Sequence, residues 1–188
     1  MSAIIRGDDA GGVAIARWPD HPLVRCAVSD PKSPSDSFTE MVQVVLPNDA
    51  NPLGFILGGT VMHLIDIAGA IACHRHTRSL LVTAAVDGLQ FLHPIKVGDL
   101  IILRARVTAA FTTSLEVEVE VFSEEILSGD RKLTSRAYLT FVAIDRDGDR
   151  VPVPPLQLDT DEERARARDA EQRRAARLEA KHRFATTP

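Results

Sequence analysis

Residues 47–76 read PNDANPLGFILGGTVMHLIDIAGAIACHRH, and they decide the fold. Gly58–Gly59 opens a run that is apolar almost all the way round, in which His63 and Asp66 are the polar side chains between Val61 and Cys73. A helix of that composition is covered on more than one side. A carboxylate inside it is costly unless it is paired or its pKa shifts, so Asp66 needs a compensating role. Thr60, His63 and Asp66 are spaced by three and form a narrow polar stripe on one helix face. At the helix start, Gly58 and Gly59 leave N–H groups with no intrahelical acceptor and no side chain to shield them. Such an end binds an anion or a developing oxyanion.

Gly59 and Asp66 lie seven residues apart, about 10 Å along a helix axis. A reacting carbonyl must sit within ~3 Å of both its oxyanion donor and its attacking group. One helix does not provide both, whereas two antiparallel copies across a two-fold axis do. The expectation is a symmetric dimer with composite sites, the second helix covering the remaining apolar side. The plainer alternative makes Asp66 a structural group bonded to a backbone amide or a basic partner.

Working outward, Phe38–Leu46 has strand composition and the loop Pro47–Leu57 is broken by Pro52 and Gly54. The helix runs to about His76. Four strand segments follow: Leu80–Leu92, Leu100–Ala109, Ser114–Phe122 and Leu133–Ile144, with His93–Asp99 as a turn that His93–Pro94 shapes. Ser114–Phe122 alternates strictly, Leu115, Val117, Val119 and Val121 on one face and Glu116, Glu118 and Glu120 on the other. One strand, an apolar helix and four strands predict an α+β fold, an antiparallel sheet wrapped around a central helix. Residues 1–37 read as an irregular lead-in with room for one short strand, 38–150 as the domain, and 151–188 as a linker and charged helix. In that helix, Thr160 and Glu163 suit a capping box, with acids early and bases late. Its apolar content is mostly Ala, with Leu178 as the large aliphatic, so a solvated appendage is expected, a partner-binding arm being the alternative. No solenoid-period repeat is present.

Composition narrows the function classes. The 188 residues suit one domain plus a tail, 45% are hydrophobic, and no apolar run approaches the ~18 residues of a membrane span. Met1–Arg17 lacks the apolar core of a signal peptide, and Cys26 and Cys73 show no metal spacing. A reduced, cytoplasmic setting away from membranes is expected. The net charge of −4 argues against a general nucleic-acid binder while leaving room for a basic pocket for a phosphorylated ligand. His63, His74 and His76 have no supporting ligands at metal spacing, so no metal is expected. His74–Arg75–His76 reads as a basic helix end that suits the dipole, His63 as a packed residue or a catalytic assistant, and Asp87 as an acid with a structural partner at the sheet edge.

The pattern Pro47, Asp49–Ala50–Asn51, Gly54, Ile56, Gly58–Gly59, Ile65–Asp66 and Ala68–Gly69–Ala70 resembles the hotdog-fold acyl-CoA thioesterases of the cytosolic acyl-CoA hydrolase and YciA-like group. VTAAVDGLQFLHPIKVGD (82–99) and YLTFVAID (138–145) are similar to the later strands of that group. The resemblance covers roughly residues 38–150. It implies hydrolysis of acyl-CoA to free acid and CoA, with no cofactor besides the CoA of the substrate. Asp66 takes the position of the catalytic carboxylate, as general base or nucleophile. Asn51 takes that of the loop asparagine serving the facing subunit's carboxylate, and Gly59 that of the N–H donor to the thioester oxygen. Leu57, Gly58, Thr60, Val82, Thr83 and Ser114 fall on substrate-contacting positions. A homodimer is the implied minimal unit, commonly assembled as a trimer of dimers with CoA in grooves between subunits.

Two departures stand out. Leu57 stands where relatives often carry Phe or His, which reshapes the acyl pocket. The turn Phe111–Ser114 aligns with a stretch that often holds an Arg near the CoA phosphates, and here Thr112 and Thr113 occupy it. Arg75, Arg78, Arg104 and Arg106 are candidate substitutes, although Arg104 and Arg106 are expected to pair with the Glu-rich face of the neighbouring strand. The rival readings are a hotdog hydratase or dehydratase using His63, and a non-catalytic acyl-CoA sensor. No helix-turn-helix precedes the domain.

Overall fold

The apolar run beginning at Gly58 forms one helix, α2 (Gly58–Thr77), preceded by the single turn α1 (Pro34–Ser37) and followed far downstream by α3 (Asp161–Ala185). The computed structural model describes residues 30–185. Five strands, β1 (Thr39–Val44), β2 (Leu80–Phe91), β3 (Leu100–Ala110), β4 (Ser114–Glu124) and β5 (Arg131–Ile144), form one antiparallel sheet in the order β1-β3-β4-β5-β2. The sheet curls around α2 in the hotdog arrangement, and α2 and each strand begin and end within two residues of their sequence boundaries.

β4 shows why the layers form. Leu115, Val117, Val119 and Val121 are fully buried in one cluster with Val61, Ile65, Ala68 and Ala72 of α2. Gly69 lets the helix approach closely: a Cβ there would lie 3.1 Å from both the Phe141 ring and a Val117 methyl. α2 ends where Arg78 turns left-handed at φ 56°, its N–H donating to the His74 carbonyl at 2.8 Å. Lys32 Nζ caps the same end by donating to the His76 carbonyl at 2.6 Å.

In this single chain the sheet covers only one side of α2. Gly59, Met62 and His63 are exposed on the other. β2 borders the same opening as an edge strand, pairing with β5 alone and exposing Leu80, Val86 and Phe91.

Several expectations need correction. The described part of the lead-in is not a strand. Ser33 caps α1, and Lys32 makes an isolated bridge to Leu156; Met1–Arg17 and Cys26 lie outside the described residues. The C-terminal helix is no solvated appendage. α3 lies on the outer face of the sheet, with Ala170 fully buried. Arg173 forks onto Glu116 at 2.7 and 3.1 Å, Arg166 reaches Glu118 at 3.4 Å, and Arg177 pairs with Asp87. The reason is electrostatic: a row of carboxylates on β4 demands counter-charge, and small alanines let a helix carrying it come close.

The capping box is present. Glu163 N–H donates to Thr160 Oγ1 at 3.2 Å and Thr160 N–H to the Glu163 carboxylate at 3.0 Å, and the Thr160 amide leads the contacts that lower the Glu163 pKa. Arg106 meets Glu120 at 3.2 Å as expected, but Arg104 turns to Glu40 on β1 at 2.7 Å, because Arg136 and Arg106 already occupy Glu120. The end of α2 is also less basic than its sequence suggests. His76 is fully buried, its Nε2 bonded to the Pro154 carbonyl at 3.0 Å, and burial lowers its pKa. Asp87 has the structural partner expected of it, Arg177. No helix among the described residues is long and apolar enough to cross a membrane.

Candidate active site

Asp66 sits half-buried in the middle of α2. Alternation along β2 turns Leu81 and Thr83 toward the helix, and the Thr83 hydroxyl donates to Asp66 Oδ1 at 2.7 Å. Oδ2 has no hydrogen-bond partner among the described residues. The carboxylate is therefore held by one oxygen, with the other free to face a water or a substrate. Thr60 is half-buried and His63 exposed on the same stripe, and neither bonds to Asp66.

At the start of α2, Leu57 is the N-cap residue and offers no side-chain acceptor, so the first-turn amides have no side-chain cap. A Cβ on Gly59 would meet nothing within 4 Å, whereas one on Gly58 would touch the Phe91 ring at 3.4 Å. Leu57, Met62 and Phe91 are exposed around this opening. They give it the apolar rim that an acyl chain requires.

Asn51 belongs to a tightly tied loop. Its Oδ1 accepts from the N–H groups of Leu53 at 2.9 Å and Phe55 at 3.2 Å, and its own N–H donates to the Phe55 carbonyl at 2.8 Å. The bonds from Leu57 N–H to the Asp49 carbonyl and from Ile56 N–H to the Ile95 carbonyl anchor that loop to the rest of the domain. The side-chain NH2 of Asn51 is left without an acceptor among the described residues. Within one chain no hydrogen bond connects Asn51 or Gly59 to Asp66. Val82 and Ser114 lie on the opposite sheet face from Thr83, both in register with Val142. One copy thus brings Asp66 and Thr83 together, gathers Leu57, Gly58, Gly59 and Thr60 a turn or more away, and holds Val82 and Ser114 apart.

Thr83 stood on a substrate-contacting position by resemblance; its bond to Asp66 was not legible, because the partners lie on different elements. Phe91 over the glycine pair was missed altogether, its only signal being its place at the end of an aromatic-tipped strand. Of the candidate substitutes for a phosphate-binding Arg, Arg75 is spent on the Phe38 carbonyl and Thr39 hydroxyl, Arg104 on Glu40 and Arg106 on Glu120. No cluster of His, Cys, Asp and Glu among the described residues is arranged to hold a metal ion.

Residues 53–129 match the family model of the thioesterase superfamily. Over 119 residues, 63% of this chain and 69% of the relative, the sequence is 41% identical to YkhA of Bacillus subtilis (strain 168), named as an uncharacterized acyl-CoA thioester hydrolase. The chain belongs to the thioesterase superfamily. Within that superfamily it is also 30% identical to the cytosolic acyl coenzyme A thioester hydrolase of Mus musculus, over 80% of this chain but only 40% of the mouse protein.

Solved structures of the superfamily agree. An apo-hexameric acyl-CoA thioesterase superposes with a TM-score of 0.78 at 37% identity, covering 85% of this chain and 100% of its own. The acyl-CoA hydrolase of Staphylococcus aureus in complex with butyryl coenzyme A, coenzyme A and coenzyme A disulfide gives 0.73 at 36%, covering 81% and 96%. The Staphylococcus enzyme has also been solved as alanine mutants of an asparagine, an aspartate and a threonine, successively fifteen and seventeen residues apart. Asn51, Asp66 and Thr83 have the same separations.

Proposed function

We propose that this chain hydrolyses acyl-CoA thioesters to a free acid and CoA, at sites shared between two copies of α2. The observation that carries the reading is the 2.7 Å hydrogen bond from the Thr83 hydroxyl to Asp66 Oδ1. It fixes the carboxylate's orientation and offsets its partial burial, leaving Oδ2 to do chemistry. Thioester hydrolysis requires a group that delivers oxygen to the carbonyl carbon and a donor for the oxyanion that results. Oδ2 of Asp66 either takes a proton from the attacking water or attacks the carbon itself. The carbon–sulfur bond then breaks, and the CoA thiolate takes up a proton. Oxyanion donors typically contribute ~10²–10³ in rate, and the open amide of Gly59 is suited to the task. Because Gly59 is about two helical turns from Asp66 in one chain, it serves the carboxylate of the facing copy, and the Asn51 side-chain amide does likewise.

The exposed face of α2 and the unpaired edge of β2 support a two-fold dimer as the minimal unit, and the hexameric relative supports three such dimers. The reaction as written uses water and no cofactor. The mouse relative's cytosolic designation supports a cytoplasmic setting. The test is CoA release from a panel of short- to long-chain acyl-CoAs by the wild type and Asp66→Ala. Loss of turnover in the mutant with its assembly intact is expected; a wild type that binds acyl-CoA and never releases CoA overturns the reading. A single turnover in ¹⁸O-water separates the two roles, since direct attack by Asp66 delivers an unlabelled oxygen to the first acid formed.

A further inference from the structure

α3 brings a row of arginines to the sheet, and all but a few are matched with acids: Arg164 with Asp161, Arg166 with Glu118 and Glu162, Arg173 with Glu116, Arg177 with Asp87. Arg174 is different. Its guanidinium lies 4.5 Å from the centroid of the Phe111 ring, and it has no carboxylate partner among the described residues. It is exposed, yet held in place by stacking rather than by an opposite charge.

Phe111 opens the β3–β4 turn, closed by its N–H donating to the Ser114 carbonyl at 2.8 Å. The turn is pinned from behind: the Thr112 and Thr113 carbonyls accept from Val153 N–H at 3.1 Å and Ala143 N–H at 2.9 Å. With both carbonyls used, the amides of Thr112 and Thr113 and the hydroxyls of Thr112, Thr113 and Ser114 have no partner among the described residues. A rigid turn of free donors beside an unmatched, stacked guanidinium is a setting for a multiply charged oxyanion. It lies at the end of the sheet where β2 begins. Thr83 stands in register with Phe141 and Leu115, so the turn is two strands, roughly 10 Å, from Asp66's partner.

We propose that Arg174 and the turn Phe111–Ser114 form a subsite for a phosphate of the substrate's CoA moiety, the cation being supplied by the C-terminal helix instead of by the turn. The proposal rests on the acyl-CoA reading above. Pantetheine separates the thioester from the phosphates, so a phosphate subsite belongs at a distance from the carboxylate. Arg174 contributes to affinity and takes no part in bond-breaking.

The experiment compares wild type, Arg174→Ala, Arg174→Lys and the control Arg168→Ala, an exposed arginine of the same helix. Each is assayed on an acyl-CoA and on the matching acyl-pantetheine, which lacks the phosphates. Loss of one charge-assisted contact predicts that Arg174→Ala raises KM for acyl-CoA about tenfold with kcat little changed. The penalty vanishes on acyl-pantetheine, Arg174→Lys recovers part of it, and Arg168→Ala shows none. An equal KM for wild type and Arg174→Ala on acyl-CoA, or the same penalty on both substrates, overturns the proposal. Calorimetry with 3′,5′-ADP as probe reads the subsite independently of turnover. Should the wild type release no CoA, the hydrolase reading fails, while weaker binding of the probe to Arg174→Ala still supports a phosphate subsite and equal binding removes it.

Discussion

At the scale of single residues, the bond between Thr83 and Asp66 joins fold to chemistry. Thr83→Ala leaves the carboxylate without its donor, and we expect kcat to fall about tenfold with KM changing less. Thr83→Ser, which keeps the hydroxyl, restores most of the rate; steady-state kinetics on one acyl-CoA checks both. Two glycines of the same helix separate function from packing. Gly59 has open space around it, so Gly59→Ala is expected to leave the urea midpoint within error of wild type. Gly69 faces the Phe141 ring and Val117 at 3.1 Å, so Gly69→Ala overpacks the core and costs ~1–3 kcal/mol by urea unfolding. Both glycines were visible in the sequence as parts of one motif. What each one touches was not, because the touching atoms come from strands far along the chain.

At the scale of elements, α3 and the end of α2 carry the predictions. Glu116 is 1% exposed and Arg173 24%, with Arg173 also stacked 3.6 Å from the Tyr138 ring centroid. Arg173→Ala strands the buried carboxylate and is expected to destabilise by about 3 kcal/mol in urea. Adding Glu116→Gln recovers much of that loss, since the Thr108 hydroxyl can still bond to it. His76 gives a pH dependence. Burial lowers its pKa from the usual 6.5, and its Nδ1 has no partner among the described residues. Above pH 6.5 the ring is neutral in both folded and unfolded chains and contributes no slope. As pH falls below 6.5 the unfolded chain binds the proton first, so stability declines until the lowered folded value is passed. Thermal unfolding between pH 8 and 5 checks this, and His76→Gln flattens that part of the profile. The sheet and α2 were legible because period-two and all-apolar patterns report hydrophobic burial. The place of α3 was not. It docks through charge onto charge, and a hydropathy reading takes both partners for solvated surfaces.

At the scale of the whole molecule, the shared site makes a prediction that no single-chain site shares. If Asp66 of one copy works with Asn51 of its partner, chains bearing Asp66→Ala and chains bearing Asn51→Ala are each inactive alone. Co-refolded in equal amounts they form mixed dimers with one intact site, restoring about a quarter of wild-type activity. Absence of rescue in demonstrably mixed dimers places the whole site within one chain. The two faces of β4 carry one more consequence, for folding fidelity. Its hydrocarbon row belongs to α2 and its carboxylate row to α3, so a slip of one residue inverts both at once. Three glutamates then meet the aliphatic interior, and four aliphatic side chains meet the arginines. β4 therefore has a single tolerable alignment at the centre of the sheet, and the strands that pair with it inherit that alignment.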